Sequence, residues 1–139
     1  MGFLVDADPV PAALAHLTAS TRLAAELGGA GRVGAEHIPP YPRLRVQTIP
    51  GGSDDLLTGE STVLLRLEAL DSLEAPVGTF RLRRILYAAL TELADLPAVP
   101  AGEGEVVITN VEAQGVGPVA EADGRSRYLA TAVISCHAG

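Results

Sequence analysis

The run Gly51-Gly52-Ser53-Asp54-Asp55 sets two glycines before a hydroxyl and two carboxylates. Adjacent glycines let backbone N–H groups close around a phosphate, and clustered carboxylates offer hard oxygen ligands to a divalent cation. A phosphate loop joins a strand to a helix and normally brings a lysine. Here the flanking patterns are both strand-like, and all ten basic residues are arginine. Asp54, Asp55 and Glu60 lack the spacing of an EF-hand calcium loop. The run reads as a solvated acidic connection.

Other chemistry-bearing residues fare no better. His16, His37 and His137 form no pair with metal-ligand spacing, and no serine sits in a Gly-x-Ser-x-Gly elbow. Cys136 is the single cysteine, which rules out an internal disulfide and a multi-cysteine zinc site. Neighbours on a strand point to opposite faces, so Cys136 and His137 cannot pair as nucleophile and base. Arg81, Arg83 and Arg84 in "FRLRR" have the charge to touch a phosphate, but pairing with acids or with water is the simpler reading. The expectation is no catalytic residue, no cofactor and no metal: a structural or interaction protein rather than an enzyme.

These residues must be positioned by the elements around them. The chain has 139 residues, 47% of them hydrophobic, enough for one folded domain spanning 1–139. Aromatics are only 4% and tryptophan is absent, so the core must come from Leu, Val, Ile and Ala, and base stacking on single-stranded nucleic acid is disfavoured. A net charge of −7 argues against general binding to a phosphate backbone. It is compatible with lining a passage that DNA crosses without sticking. The first residues lack the basic region of a signal peptide, and no apolar run reaches the ~20 residues that cross a bilayer. The expected setting is soluble, with no membrane partner.

From Asp8 to Leu27 the pattern predicts one amphipathic helix, with Asp8 as N-cap, Pro9 at its first position and Gly28-Gly29 as its stop. Residues 29–42 read as a linker, irregular because of its three prolines. "RLRVQTI" and "STVLLRLEAL" alternate apolar and polar side chains and predict an antiparallel hairpin with a loop over about 50–60, pairing to cease at Pro50. "FRLRRILYAALTELADLP" is the strongest helical signal, with Leu82, Ile85, Leu86, Ala89, Leu90 and Leu93 on one stripe, Thr79 as N-cap and Pro97 as its stop. Its arginines lie in the first turns and its acids in the last, opposing the helix dipole, so those arginines are expected to have partners elsewhere. "EVVITNVEAQ" and "RYLATAVISCH" predict a second hairpin with a loop over about 115–126. The expected fold is α+β: an antiparallel four-stranded sheet with two helices packed on one face, in the order α-β-β-α-β-β.

In this order, "YPRLRVQTIPGG", "TVLLRLEAL", "FRLRRILYAALTELADLP" and "VVITNVEAQGVGPVAEADGRSRYLATAVISCHA" resemble the tail terminator, or tail-completion, family of long-tailed bacteriophages. The resemblance runs over about residues 5–137 and lies in the pattern of elements rather than in invariant residues. It implies a virion protein of the tail neck, assembled in the host cytoplasm. Such a protein forms a homo-oligomeric ring, usually a hexamer, on the tail tube protein, stops its polymerisation and meets a head-completion or connector protein, while DNA passes through. The neighbouring alternatives are another head–tail neck or adaptor protein and, from a different class, a small ligand-binding domain or enzyme. Subunit contacts are expected at Gly52, Ser53, Asp54 and Asp55, at Arg81, Arg83 and Arg84, and at Asp123 and Arg125.

Overall fold

The structure is a computed structural model that describes residues 4–120 and 124–139. After a 3-10 turn at Leu4–Asp6 come helices α1 (Val10–Ala19) and α2 (Thr21–Leu27) and a short strand β1 (Val33–Gly34). Strands β2 (Arg43–Asp54) and β3 (Glu60–Leu70) follow, then helix α3 (Thr79–Ala94), a 3-10 turn at Leu96–Ala98, and strands β4 (Val107–Ala120) and β5 (Ser126–His137). The sheet has five strands in the order β1-β2-β3-β5-β4. All neighbours are antiparallel except β1 and β2, which run parallel.

The expected fold of four antiparallel strands and two helices is therefore corrected to a mixed five-stranded sheet with three helices. Two local causes explain the difference. Ser20 has extended backbone (ψ 115°), and its Oγ accepts the Leu23 N–H at 3.1 Å. A serine that caps the next helix ends the previous one, so the single helix expected over Asp8–Leu27 becomes α1 and α2. The second cause lies in the supposed linker at 29–42. Leu44 N–H donates to Arg32 O at 2.8 Å. Arg43 Nε donates to Glu36 O at 2.7 Å, and Arg43 Nη1 to Gly31 O at 3.3 Å. These guanidinium bonds hold the segment against β2 as a strand too short to show any periodicity.

The helix ends also differ in detail from expectation. Pro9 is the N-cap of α1, while Asp8 Oδ1 accepts the Val10 N–H at 3.0 Å. Gly78, with φ 89°, is the N-cap of α3, and Thr79 is its first residue. The loop before it is organised by Asp71, which is buried: Oδ1 accepts from Ser72 N and Val77 N at 2.8 Å, and Oδ2 from Gly78 N at 3.1 Å.

The core fills one face of the sheet. Leu44 and Val46 of β2, Leu65 and Leu67 of β3, and Ala130, Ala132 and Ile134 of β5 are buried together. Helix α3 covers them with Leu82, Ile85, Leu86, Ala89 and Leu93, and α1 and α2 add Leu17, Leu23 and Leu27. The alanines on β5 let α3 approach closely, and each buried leucine contributes about 1.5–3 kcal/mol.

Both hairpins are longer than their sequences suggest. Pairing in the first does not end at Pro50, and the expected loop at 50–60 shrinks. Between Ile49↔Leu64 and Ser53↔Thr62, β2 advances four residues while β3 advances two, so Pro50–Gly52 form a bulge. Glycine is required there: Gly51 has φ 122°, and a Cβ on Gly52 would stand 2.0 Å from Thr62 O. Ser53 and Asp54 then rejoin the ladder opposite Thr62 and Ser61. In the second hairpin, most of the loop expected at 115–126 is strand, with Gly117 opposite Leu129 and Ala120 opposite Ser126. Gly115 (φ 66°) takes up a bulge, and Pro118 is tolerated because β4 is an edge strand.

Candidate functional site

Three polar groupings stand out, of which the sequence points to parts of the first two. The first is the tip of the β2–β3 hairpin. Asp55 Oδ1 accepts the N–H groups of Leu57 (2.9 Å) and Thr58 (3.1 Å), and Gly59 N–H donates to Asp55 O at 2.9 Å. These bonds, Thr58 first and Leu57 next, hold the Asp55 carboxyl below its ordinary range. Asp54 accepts the Ser61 hydroxyl across the ladder. The turn they build presents Leu56 and Leu57, which are 84% and 88% exposed. The sequence points to Gly52–Asp55 and not to these leucines, although two adjacent leucines inside a polar loop are a visible anomaly.

The second grouping is the start of α3. Arg84 grips Glu26 of α2 through both oxygens, Nη2 to Oε1 at 2.8 Å and Nε to Oε2 at 3.2 Å. Arg81 Nε donates to the Glu26 backbone O at 3.1 Å. Two cations thus meet the carbonyl end of α2, where the helix dipole favours them, which offsets their unfavourable place at the start of α3. The Arg84 hydrogen bond, with the charges of Arg84 and Arg81 behind it, lowers the Glu26 carboxyl pKa, and the same bond raises that of Arg84. Arg83 differs: its guanidinium lies 4.4 Å from the centre of the Tyr87 ring and faces solvent beside Phe80, itself 79% exposed.

The third grouping, on the helix-free face of the sheet, was not expected. Glu68 is only 1% exposed, with Arg127 Nη1 at 3.1 Å and Arg45 Nη1 and Arg66 Nη1 each at 3.8 Å. The register brings these together: Arg45 is opposite Glu68, Gln47 opposite Arg66, and Arg127 opposite Leu70. In the sequence Arg45 and Arg127 lie 23 and 59 positions from Glu68, and nothing local marks those two as its partners, whereas Arg66 is two residues away on the same strand. Arg125, expected in a loop, is buried and packs 3.9 Å from the Tyr41 ring centre. Asp123 lies outside the described residues.

None of these groupings assembles a nucleophile with a base. Cys136 is buried, with Sγ 3.6 Å from Ala7 O, and burial above all pushes its thiol up to about 11. Its neighbour His137 turns away to Ala138 O at 2.8 Å. Among the described residues no group of three or more His, Cys, Asp or Glu is placed to hold a metal ion, and no helix is long and apolar enough to cross a membrane. A surface cleft lined by Glu26, Gly28, Arg32, Val77 and Arg81 is walled by arginines already engaged, Arg81 with α2 and Arg32 with Tyr41 O at 2.7 Å. What the first two groupings present to solvent is charge, leucine and aromatic surface.

The fold itself has a solved counterpart. A chain in the virion of a native gene transfer agent particle superposes with a TM-score of 0.65 at 16% identity, covering 91% of this chain and 92% of that one. The likeness is one of architecture, from end to end of both chains. No family model matches the sequence. No curated protein matches it either.

Proposed function

We propose that the protein is a structural component of a phage-like virion, and within it a ring-forming tail terminator. The observation that carries this reading is the near full-length fold shared with a chain of the gene transfer agent virion. A fold alone is a weak warrant for function. Here it agrees with the element pattern that resembles tail-completion proteins and with surface groupings suited to contact. The role is to close as a homo-oligomeric ring, a hexamer in the simplest case, on the tail tube protein and to stop its growth. The ring then presents its other side to a head connector. Contacts between unlike surfaces of identical subunits close into a ring when their rotation closes. A net charge of −7 suits a passage through which DNA moves without being held.

The test is to add purified protein to growing tail tubes, measuring tube length by electron microscopy and subunit number by native mass spectrometry. Tubes of limited length bearing one ring at an end support the reading. Tubes that grow on unchanged, with the protein monomeric throughout, refute it. A ring found on the head connector and absent from tubes would assign the protein to a neighbouring adaptor role in the neck.

A further inference from the structure

Strand β3 joins two chemically opposite ends of the molecule. Around its first residue, Glu60, gather Asp54 and Asp55 of the hairpin, and Asp8 near Cys136, which pairs with Ser61. Glu105 and Asp6 line one cleft with Asp8 on the same side. Around its last residue, Leu70, lie Arg43 and Arg127 in register and, through the Asp71 hydrogen bonds to Val77 and Gly78, the start of α3 with Arg81, Arg83 and Arg84. Most of these arginines are satisfied within the chain: Arg81 and Arg84 by α2, Arg127 by Glu68, Arg43 by carbonyls before β2. Arg83 makes no ion pair among the described residues. It is stacked on Tyr87 next to an exposed Phe80.

We infer that the hairpin tip of one copy of this chain docks on the Phe80–Arg83–Tyr87 surface of the next. The two surfaces match in kind. The tip offers two leucines beside carboxylates held in a fixed turn, and α3 offers two aromatic rings beside a guanidinium whose place is set by stacking. Exposed aromatic and arginine side chains of this sort are the usual anchors of interfaces, and a positioned turn costs little ordering on binding. The pairing cannot form within one chain. The 11 residues of β3 separate the tip from the start of α3, a span of about 33 Å at the usual rise per residue of a strand, and the two helical turns to Tyr87 take back only about 12 Å of it. A contact between unlike surfaces of identical chains propagates from subunit to subunit, as a ring requires. The inference rests on the ring reading above and names the residues that would join its subunits.

The test is a chemical cross-link on the assembled protein, in solution or on tail tubes. The variant Leu57→Cys/Phe80→Cys is treated with a short bismaleimide at neutral pH. Cys136 is buried with its thiol pushed up to about 11, so it stays unreactive in the folded protein. The expected result is a ladder of covalent multimers, with dimers only when Leu57→Cys and Phe80→Cys single variants are mixed. In parallel, Arg83→Glu is expected to weaken self-association at least tenfold, and Asp54→Arg in the same chain to restore it. Rings that assemble without the cross-link, or that are untouched by Arg83→Glu, overturn this interface and leave the ring reading standing. Protein that neither multimerises nor caps tubes overturns both.

Discussion

The buried carboxylate on β3 and the exposed ones at the hairpin tip use the same chemistry to opposite ends. Glu68 is sealed in the sheet and shared among Arg45, Arg66 and Arg127. Asp55 spends its oxygen on two backbone N–H groups and leaves the leucines beside it in water. A buried charge with converging partners specifies which strands lie side by side. An exposed charge in a hydrogen-bonded turn shapes a surface while contributing little to the fold. The difference teaches that charge content alone does not distinguish an interface from a scaffold; burial does.

The sharpest way to break this comparison is at Glu68. Glu68→Ala leaves three guanidiniums facing one another, and breaking such a buried pair costs about 3–5 kcal/mol. Arg66 and Arg45 are partly wet, so a loss of about 3 kcal/mol in urea unfolding is expected. An unchanged midpoint would remove Glu68 from the scaffold. Next comes Gly52→Ala, whose added Cβ meets Thr62 O; overpacking of this kind costs about 1–3 kcal/mol. Hydrogen exchange would show faster opening at Ser53 and Asp54. At the tip, Leu56→Ser/Leu57→Ser is expected to move stability by no more than about 0.5 kcal/mol, as for other exposed sites. The same change should reduce assembly, measured by sedimentation velocity at several concentrations.

A smaller effect concerns pH. Glu26 and Asp55 have folded-state pKa values below their unfolded ones. Their contribution is therefore present above the ordinary carboxylate range and is lost as pH falls through the depressed folded values. Thermal midpoints measured downward from about pH 5 should fall, and Arg84→Ala should flatten the Glu26 part of that fall. Cys136 works in the opposite sense. Its thiol is raised to about 11 in the fold, so its contribution is present below the unfolded thiol value and is lost as pH rises from about 8.5 through the folded value. Maleimide labelling at pH 8 should track global unfolding rather than precede it.

Much of the fold was legible because it rests on local periodicity. The alternation of β2, β3 and β5 and the 3.6-residue stripe of α3 identified the part of the core those four elements supply, from Leu44 to Ile134. What periodicity cannot register are single hydrogen bonds that redirect a chain. Ser20 splits a helix, and Arg43 draws residues 33–34 into the sheet. Pro50 and Pro118 look like terminators in a one-dimensional pattern. A bulge and an edge position accommodate them, and only pairing reveals either.

The sequence by itself determined the apolar stripe of α3, the alternating faces of β2, β3 and β5, and the absence of metal-ligand spacing among its histidines and its lone cysteine. Only the tertiary structure decided which charges are spent and which are available. It committed Arg81 and Arg84 to α2, buried Glu68 among three arginines, and left Arg83, Phe80 and the hairpin leucines in solvent. The reason is physical. A side chain's apolar or polar character acts locally along the chain, whereas the partner of a charge is set by strand register and helix packing across dozens of residues.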